Sequence, residues 1–301
     1  MRYRQNFILG AVLIVASEFL FASMGATVKA VSAELPTEVV VFMRGLFGVV
    51  ILLPLLLRRV NKNVLVTQVW HLHLLRAVLG VTAMYCFFYA LANLPLADGM
   101  LLKMTAPLFM PLIAALWLYE KLGAKIWLAV GLGFVGVALV LKPEGEFNWV
   151  ALIGLAGGMF AAGAKVTVRR LGQTEPTMRI VFYFSLVVML IATVPLLWAW
   201  QMPTAIEWRL LFLMGLFGTL GQLLLTRGYS VAAASQVAPF TYFSVVFAAL
   251  YGYFFWQETI DLGFIAGAVL IAIAGIVALR ANNRRRKLAG TLEQNAVEAP
   301  G

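Results

Sequence analysis

Four ionisable side chains stand inside long apolar runs, where hydrocarbon makes each one costly: Glu18, Arg44, Arg76 and Lys103. Glu18 follows Phe7 by eleven positions, which at helical rise places it about 16 Å deep, near the middle of a hydrocarbon core about 30 Å thick. Its side chain is too short to reach either interface, so it must face protein or enclosed water. A carboxylate there is costly when charged and cheap when protonated, a property suited to binding and releasing protons. A structural Glu, held protonated or paired with an internal cation, is the competing reading. Arg44, Arg76 and Lys103 each lie about six residues, roughly 9 Å, inside an apolar run. Long cationic side chains can snorkel over that distance, so anchoring competes with function. If all three face one cavity with Glu18, cations outnumber the acid three to one, which favours a substrate bearing a carboxylate or phosphate.

Softer candidates follow. Gln222, Gln236, Thr241 and Ser244 can hydrogen-bond a ligand or equally a neighbouring helix. Tyr242 and Phe243, with Tyr251 further along, can stack on a planar ligand, against packing or lipid-facing roles for the same rings. Gly131-Leu132-Gly133-Phe134-Val135-Gly136 satisfies GxGxxG, but it lies within an apolar run rather than after a soluble strand. Close helix packing accounts for it, as for Gly154-x-x-x-Gly158 and Gly263-x-x-x-Gly267. His71 and His73 stand at a helix entrance and suit a charged interface better than a metal site. The single cysteine, Cys86, excludes an intramolecular disulfide framework and a cysteine-ligated zinc site. HExxH, GxSxG and GxxxxGK[ST] motifs do not occur, so neither a cofactor nor a metal is expected and direct ATP drive is not.

The elements that must position these residues are set by composition. Of 301 residues 62% are hydrophobic and 12% charged, which excludes a soluble globular enzyme. Ten apolar segments run from 7 to 28, 39 to 57, 70 to 91, 97 to 119, 126 to 141, 149 to 168, 180 to 200, 210 to 226, 233 to 256 and 262 to 279. They are too long, and too little alternating, for barrel strands. The run from Phe7 is also too long for a signal-peptide core, which predicts an uncleaved first span. Threading the ten spans sends 17 cations, Lys165 among them, to one side. Only Lys29, Lys142 and Arg209 reach the other, with eight acids. The positive-inside rule then predicts both termini in the cytoplasm. The same orientation explains the net charge of +10 without nucleic acid, and Arg284 to Lys287 read as an interfacial anchor before a disordered tail.

Two segments end alike, in Leu116-Trp117-Leu118-Tyr119-Glu120 and Phe254-Phe255-Trp256-Gln257-Glu258, each followed by a glycine-bearing helix. Five helices per copy is an odd number, so the second copy sits inverted, an arrangement typical of secondary transporters with a site between the halves. The sequence resembles the ten-helix drug/metabolite transporter superfamily, EamA type, whose halves carry an Ala-x(n)-Pro-x(n)-Glu pattern in the fourth helix; Ala90, Leu91, Pro95, Ala97, Pro107 and Glu120 resemble it. The likeness reaches to about Leu279. The second half departs from it: Pro239 lies 19 residues before Glu258, whereas Pro107 lies 13 before Glu120, which predicts helix breaks that are not equivalent. Ala238-Pro239-Phe240 and Tyr242 resemble a variant of metabolite-exporting members. Glu18 is similar to the single membrane-embedded Glu in the first helix of the small multidrug resistance branch.

These readings predict an all-α integral membrane protein of ten transmembrane helices in two inverted five-helix repeats, 1-142 and 143-281, with a basic tail over 282-301. What the resemblance implies is alternating-access transport of a small organic molecule across the cell membrane. The charge excess and the exporter-like variant together point to export of an amino-acid-like, anionic or zwitterionic metabolite, with protons as candidate coupling ion and no oligomer required. An integral-membrane enzyme acting on a lipid-like substrate, or a channel, are the alternatives. The first needs a polar catalytic cluster and the second a ring of repeated polar residues at a constriction, and neither pattern is visible.

Overall fold

A computed structural model describes residues 7–57, 65–118, 124–141, 149–171, 174–231, 238–277 and 280. Glu120, Gln236 and the basic tail lie outside them. Every regular element among the described residues is helical, as apolar surroundings require, because a helix satisfies its own backbone. The first half contains α1 (Phe7–Val31), α2 (Thr37–Leu57), α3 (Trp70–Asn93), α4 (Leu96–Lys103), α5 (Ala106–Leu118) and α6 (Ala124–Leu141). The second contains α7 (Trp149–Leu171), α8 (Thr177–Thr193), α9 (Leu196–Ala199), α10 (Ala205–Val231), a 3-10 turn (Ala238–Tyr242), α11 (Phe243–Trp256) and α12 (Leu262–Val277). Among them α1, α2, α3, α7 and α10 are long and apolar enough to cross a membrane alone, while α8, α11 and α12 are shorter apolar helices, as is the apolar stretch Ile126–Leu139 of α6.

The fourth expected segment is two helices. Pro107 has no N–H to give the carbonyl of Lys103, and its ring crowds that carbonyl. The chain therefore turns at Met104 and Thr105, where Thr105 Oγ donates to the Leu102 carbonyl at 2.6 Å. Met104 precedes Glu120 by sixteen positions, and Tyr242, where the 3-10 turn gives way to α11, precedes Glu258 by the same sixteen. The helix thus restarts at similar positions in the two halves, but the breaks differ in kind, as expected from Pro107 and Pro239: a two-residue turn between α-helices in the first half and a 3-10 turn in the second. The seventh segment also breaks, at Val194 and Pro195, because Pro195 has no N–H for the Ile191 carbonyl and its ring crowds it. The eighth begins earlier than expected: Glu207 Oε2 accepts from the Thr204 N–H at 2.6 Å and the Glu207 N–H returns to Thr204 Oγ at 3.4 Å, a capping box that starts α10 at Ala205.

The halves pack on each other in a pattern that maps onto itself when they are exchanged. The α1–α10 interface corresponds to α7–α3, α1–α11 to α7 against α4 and α5, and α2–α10 to α8–α3, while α2–α8 corresponds to itself. Glycines set the closeness. A Cβ on Gly157 of α7 would stand 2.8 Å from Cβ of Cys86 on α3, and one on Gly136 of α6 would stand 2.8 Å from the Gly267 carbonyl of α12. Gly154, Gly158 and Gly133 are similarly crowded, but Gly131 faces open space, so packing explains only part of the GxGxxG string.

Candidate functional site

Glu18 sits on α1 with 3% of its surface exposed, and its Oε2 lacks a hydrogen-bond partner. The break that ends α4 presents Lys103 toward it. The Lys103 ammonium lies 4.6 Å from the ring centre of Phe21 on α1 and 5.1 Å from that of Phe87 on α3, so it points into the bundle rather than along it to an interface. It also stands at the C-terminal, negative end of α4. From the second half, Ser244 of α11 comes within hydrogen-bonding reach of the Glu18 carboxyl. Ser244 has one hydroxyl proton and a second acceptor at hand, the Thr241 carbonyl at 2.9 Å. It can therefore donate to an ionised Glu18, or turn its proton to Thr241 and accept from a protonated one.

The charge of Glu18 interacts with two ammoniums, Lys103 and Lys165, and Lys165 interacts in turn with Lys103 and Arg76. Lys165 was expected among the loop cations of one side; the structure places it within α7, in the interior group. Its side chain is exposed, and its charge reaches the buried Glu18. A signal for this existed: Lys165 lies eleven positions after Gly154 and seven after Gly158, so helical arithmetic puts it within about 20° of that packing stripe. Arg76 covers the Phe184 ring, with its Cζ 4.1 Å from the ring centre, and leaves Nε and Nη1 buried without partners.

The other candidates are placed differently. Arg44 is 5% exposed and packs between α2, α8 and α10, against Gly48, Ser185 and Gly218. It is thus buried rather than snorkelling, and it meets α10 at Gly218, one turn before the Gly221 that meets the Phe21 ring. Tyr242 donates its hydroxyl to the Ile271 carbonyl of α12 at 3.3 Å. Phe243 is 42% exposed and stacks on Phe240. The structure therefore does not bring Tyr242 or Phe243 to Glu18, because the 3-10 turn directs both rings elsewhere. Tyr251, expected as a cavity candidate, is tied to α1: Ser23 Oγ gives its proton to the Phe19 carbonyl at 2.9 Å and accepts from the Tyr251 hydroxyl at 2.8 Å. Gln222 follows Gly221 on α10, whose backbone meets the Phe21 ring beneath Lys103.

Two polar clusters close the ends of the bundle, and neither was expected from sequence. At one, Lys29 of α1 pairs with Glu258 at 2.8 Å and donates to the Leu94 carbonyl at 2.6 Å, while Glu258 Oε2 accepts from the Leu96 N–H at 2.8 Å. Gln257, with φ 55°, turns the chain so that Glu258 folds back over Gly252, where a Cβ would overlap its carboxylate. At the opposite end Glu175, between α7 and α8, accepts from Thr67 at 2.6 Å and Arg179 at 2.5 Å, with His73 Nε2 at 4.0 Å. Burial alone would raise the Glu175 carboxyl, but the Thr67 and Arg179 hydrogen bonds and the Arg179 and His73 charges hold it below the usual carboxylate range. His73 is buried here, beside the charged pair of Glu175 and Arg179. Among the described residues no metal-ligating cluster occurs.

The model of the EamA-like transporter family matches twice, over residues 8–142 and 148–280. The chain is 38% identical over 275 residues to the pseudopaline exporter CntI of Pseudomonas aeruginosa (strain UCBPP-PA14), covering 90% of this chain and 96% of that one. It is 29% identical to a riboflavin transporter of Vibrio cholerae, covering 95% and 99%, and 29% identical to an S-adenosylmethionine uptake transporter of Rickettsia bellii, covering 81% and 84%. A crystal structure superposes with a TM-score of 0.63 at 16% identity over 91% of this chain, a likeness of fold. These are membrane transporters of metabolites, not enzymes, and the enzyme alternative is set aside.

Proposed function

The chain belongs to the EamA-like transporter family, and from that premise we propose that it exports a small amino-acid-like metabolite bearing carboxylate groups, by alternating access, with proton exchange at Glu18. The observation that carries this reading is the interior group itself, in which a buried carboxylate on the first half meets Lys103 and Lys165 from different halves. A zwitterionic substrate sets its ammonium against ionised Glu18 and its carboxylate against Lys103. Ammonium and proton then compete for one carboxylate, so substrate leaves as a proton enters, and an inward proton gradient drives export. Support for export comes from the likeness to a pseudopaline exporter, whereas two other relatives are named for uptake or transport without that direction.

Alternating access requires that one end be shut while the other opens. The Lys29–Glu258 latch fits a closed outer end, with Lys165 exposed toward the opposite end of the bundle. Sidedness follows from the charge distribution, which assigns Arg170, Arg179 and Arg227 to the cytoplasm. The test is a metabolite comparison of cells with and without the protein. Accumulation of a carboxylate-bearing metabolite outside the expressing cells is the expected result; accumulation inside reverses the direction, and no difference in any carboxylate-bearing compound removes the reading.

A further inference from the structure

Glu18, Arg76, Lys103 and Lys165 carry three positive charges against one negative. Charges in an apolar interior are tolerated when compensated, and here two remain over when Glu18 is ionised. Arg76 is spread over Phe184 with buried, unpartnered nitrogens, a fixed cation in the wall. Lys103 and Lys165 differ from it. Lys103 is held at the α4 break by aromatic faces and offers its remaining N–H groups inward. Lys165 arrives from the other half, on the face of α7 whose Gly154 and Gly158 pack against Leu102 and Thr105 at the α4 break, and its side chain is exposed.

We propose that Lys103 and Lys165 form a carboxylate clamp bridging the two halves, which selects substrates bearing at least two carboxylates, one of them seated between the two ammoniums beside Glu18. The proposal rests on the transporter reading above and names the substrate class of the same site. Counting the substrate ammonium that faces Glu18, a substrate with one carboxylate leaves both excess charges standing and each further carboxylate removes one, so the carboxylates beyond the first are what the excess recognises. Because the clamp draws one cation from each half, a seated carboxylate also ties together the surfaces that must slide past one another. Arg76 borders the same group from α3, with its guanidinium laid over the Phe184 ring.

The test uses the purified full chain in detergent and measures thermal stabilisation by glutamate, iminodiacetate and tricarballylate, each against its monoamide, with sodium sulfate at matched ionic strength as the inorganic control. Wild type is expected to bind at least one diacid or triacid about tenfold or more tightly than its amide, the scale of one charge-assisted hydrogen bond. Lys165→Gln should abolish that preference and Lys165→Arg should retain much of it. Independently, the same acid should protect Lys165 of the wild type from acetylation, read by mass spectrometry, which needs no variant to fold. Equal binding of acid and amide, stabilisation by sulfate as strong as by the acids, or no binding and no protection by any of the acids overturns the clamp. Failure of the transporter reading shows elsewhere, as the absence of any metabolite difference between cells.

Discussion

Gly252→Ala should open the end of the bundle that Lys29 and Glu258 close. A Cβ at Gly252 would overlap Oε2 of Glu258 and stand 3.1 Å from its Cδ, so the carboxylate must retreat. A retreat of about 1 Å stretches its bonds to the Leu96 N–H and Lys29, each 2.8 Å, beyond hydrogen-bonding range. Charge-assisted hydrogen bonds contribute about 1.5 to 3 kcal/mol each. With side chains 14% and 16% exposed the lower end applies, giving a loss of about 2 to 4 kcal/mol, or roughly 30- to 900-fold in the closed-to-open ratio. Ala is the better helix former by about 1 kcal/mol, so global stability falls less than closure does. The assay is maleimide labelling of Ala97→Cys, a position 6% exposed beside the pocket at this latch, in a Cys86→Ser background. The rate should rise about tenfold or more, and a prior Glu258→Ala change should remove the effect of Gly252→Ala. An unchanged rate in folded, inserted protein, or a full effect in the Glu258→Ala background, refutes the reasoning.

Three further outcomes are expected. Glu175→Gln should lower the melting temperature at pH 7 by loosening the Thr67–Glu175–Arg179 cluster; because the folded carboxyl titrates below its unfolded value near pH 4.3, the contribution is complete above that pH and fades as pH falls through the lower folded value, so a difference as large at pH 3 as at pH 7 contradicts it. Thr204→Ala removes one side of the capping box and should cost about 1 kcal/mol in a denaturation series; no loss would mean the Glu207 side suffices. Cysteines at Glu34 and Thr174, both exposed, should label from outside and only after permeabilisation, respectively, in a Cys86→Ser background; the reverse pattern inverts the topology.

The helical class, the two halves and the embedded charges were legible because hydrocarbon allows few departures from apolar sequence, so Glu18, Arg76 and Lys103 stand out by type alone. Proline spacing showed that the two breaks differ, but not where the helix restarts. Pro107 breaks its helix upstream, at the carbonyl it fails to pair, whereas Pro239 lies inside the 3-10 turn. Lys165 was hidden by Arg169 and Arg170 close behind it, which made it look like part of a loop's positive charge. Lys29 and Glu258 were read separately as loop charges on one side, since nothing local links residues more than two hundred positions apart. Tyr242 and Phe243 share an aromatic-rich run whose outward and inward members cannot be separated until the 3-10 turn fixes their rotation.

The account rests most heavily on Glu18 as the proton-exchanging group of the site. Glu18→Gln keeps the volume and mimics the protonated carboxyl, so the decisive measurement is export of the accumulating metabolite by cells expressing wild type or Glu18→Gln, at external pH 6 and 8, with surface expression matched. Wild type should export faster at pH 6, where the inward proton gradient is larger, and the Gln variant should lose that pH dependence and most of its net export. Undiminished export with the wild-type pH dependence in Glu18→Gln would return Glu18 to a structural role and contradict the account.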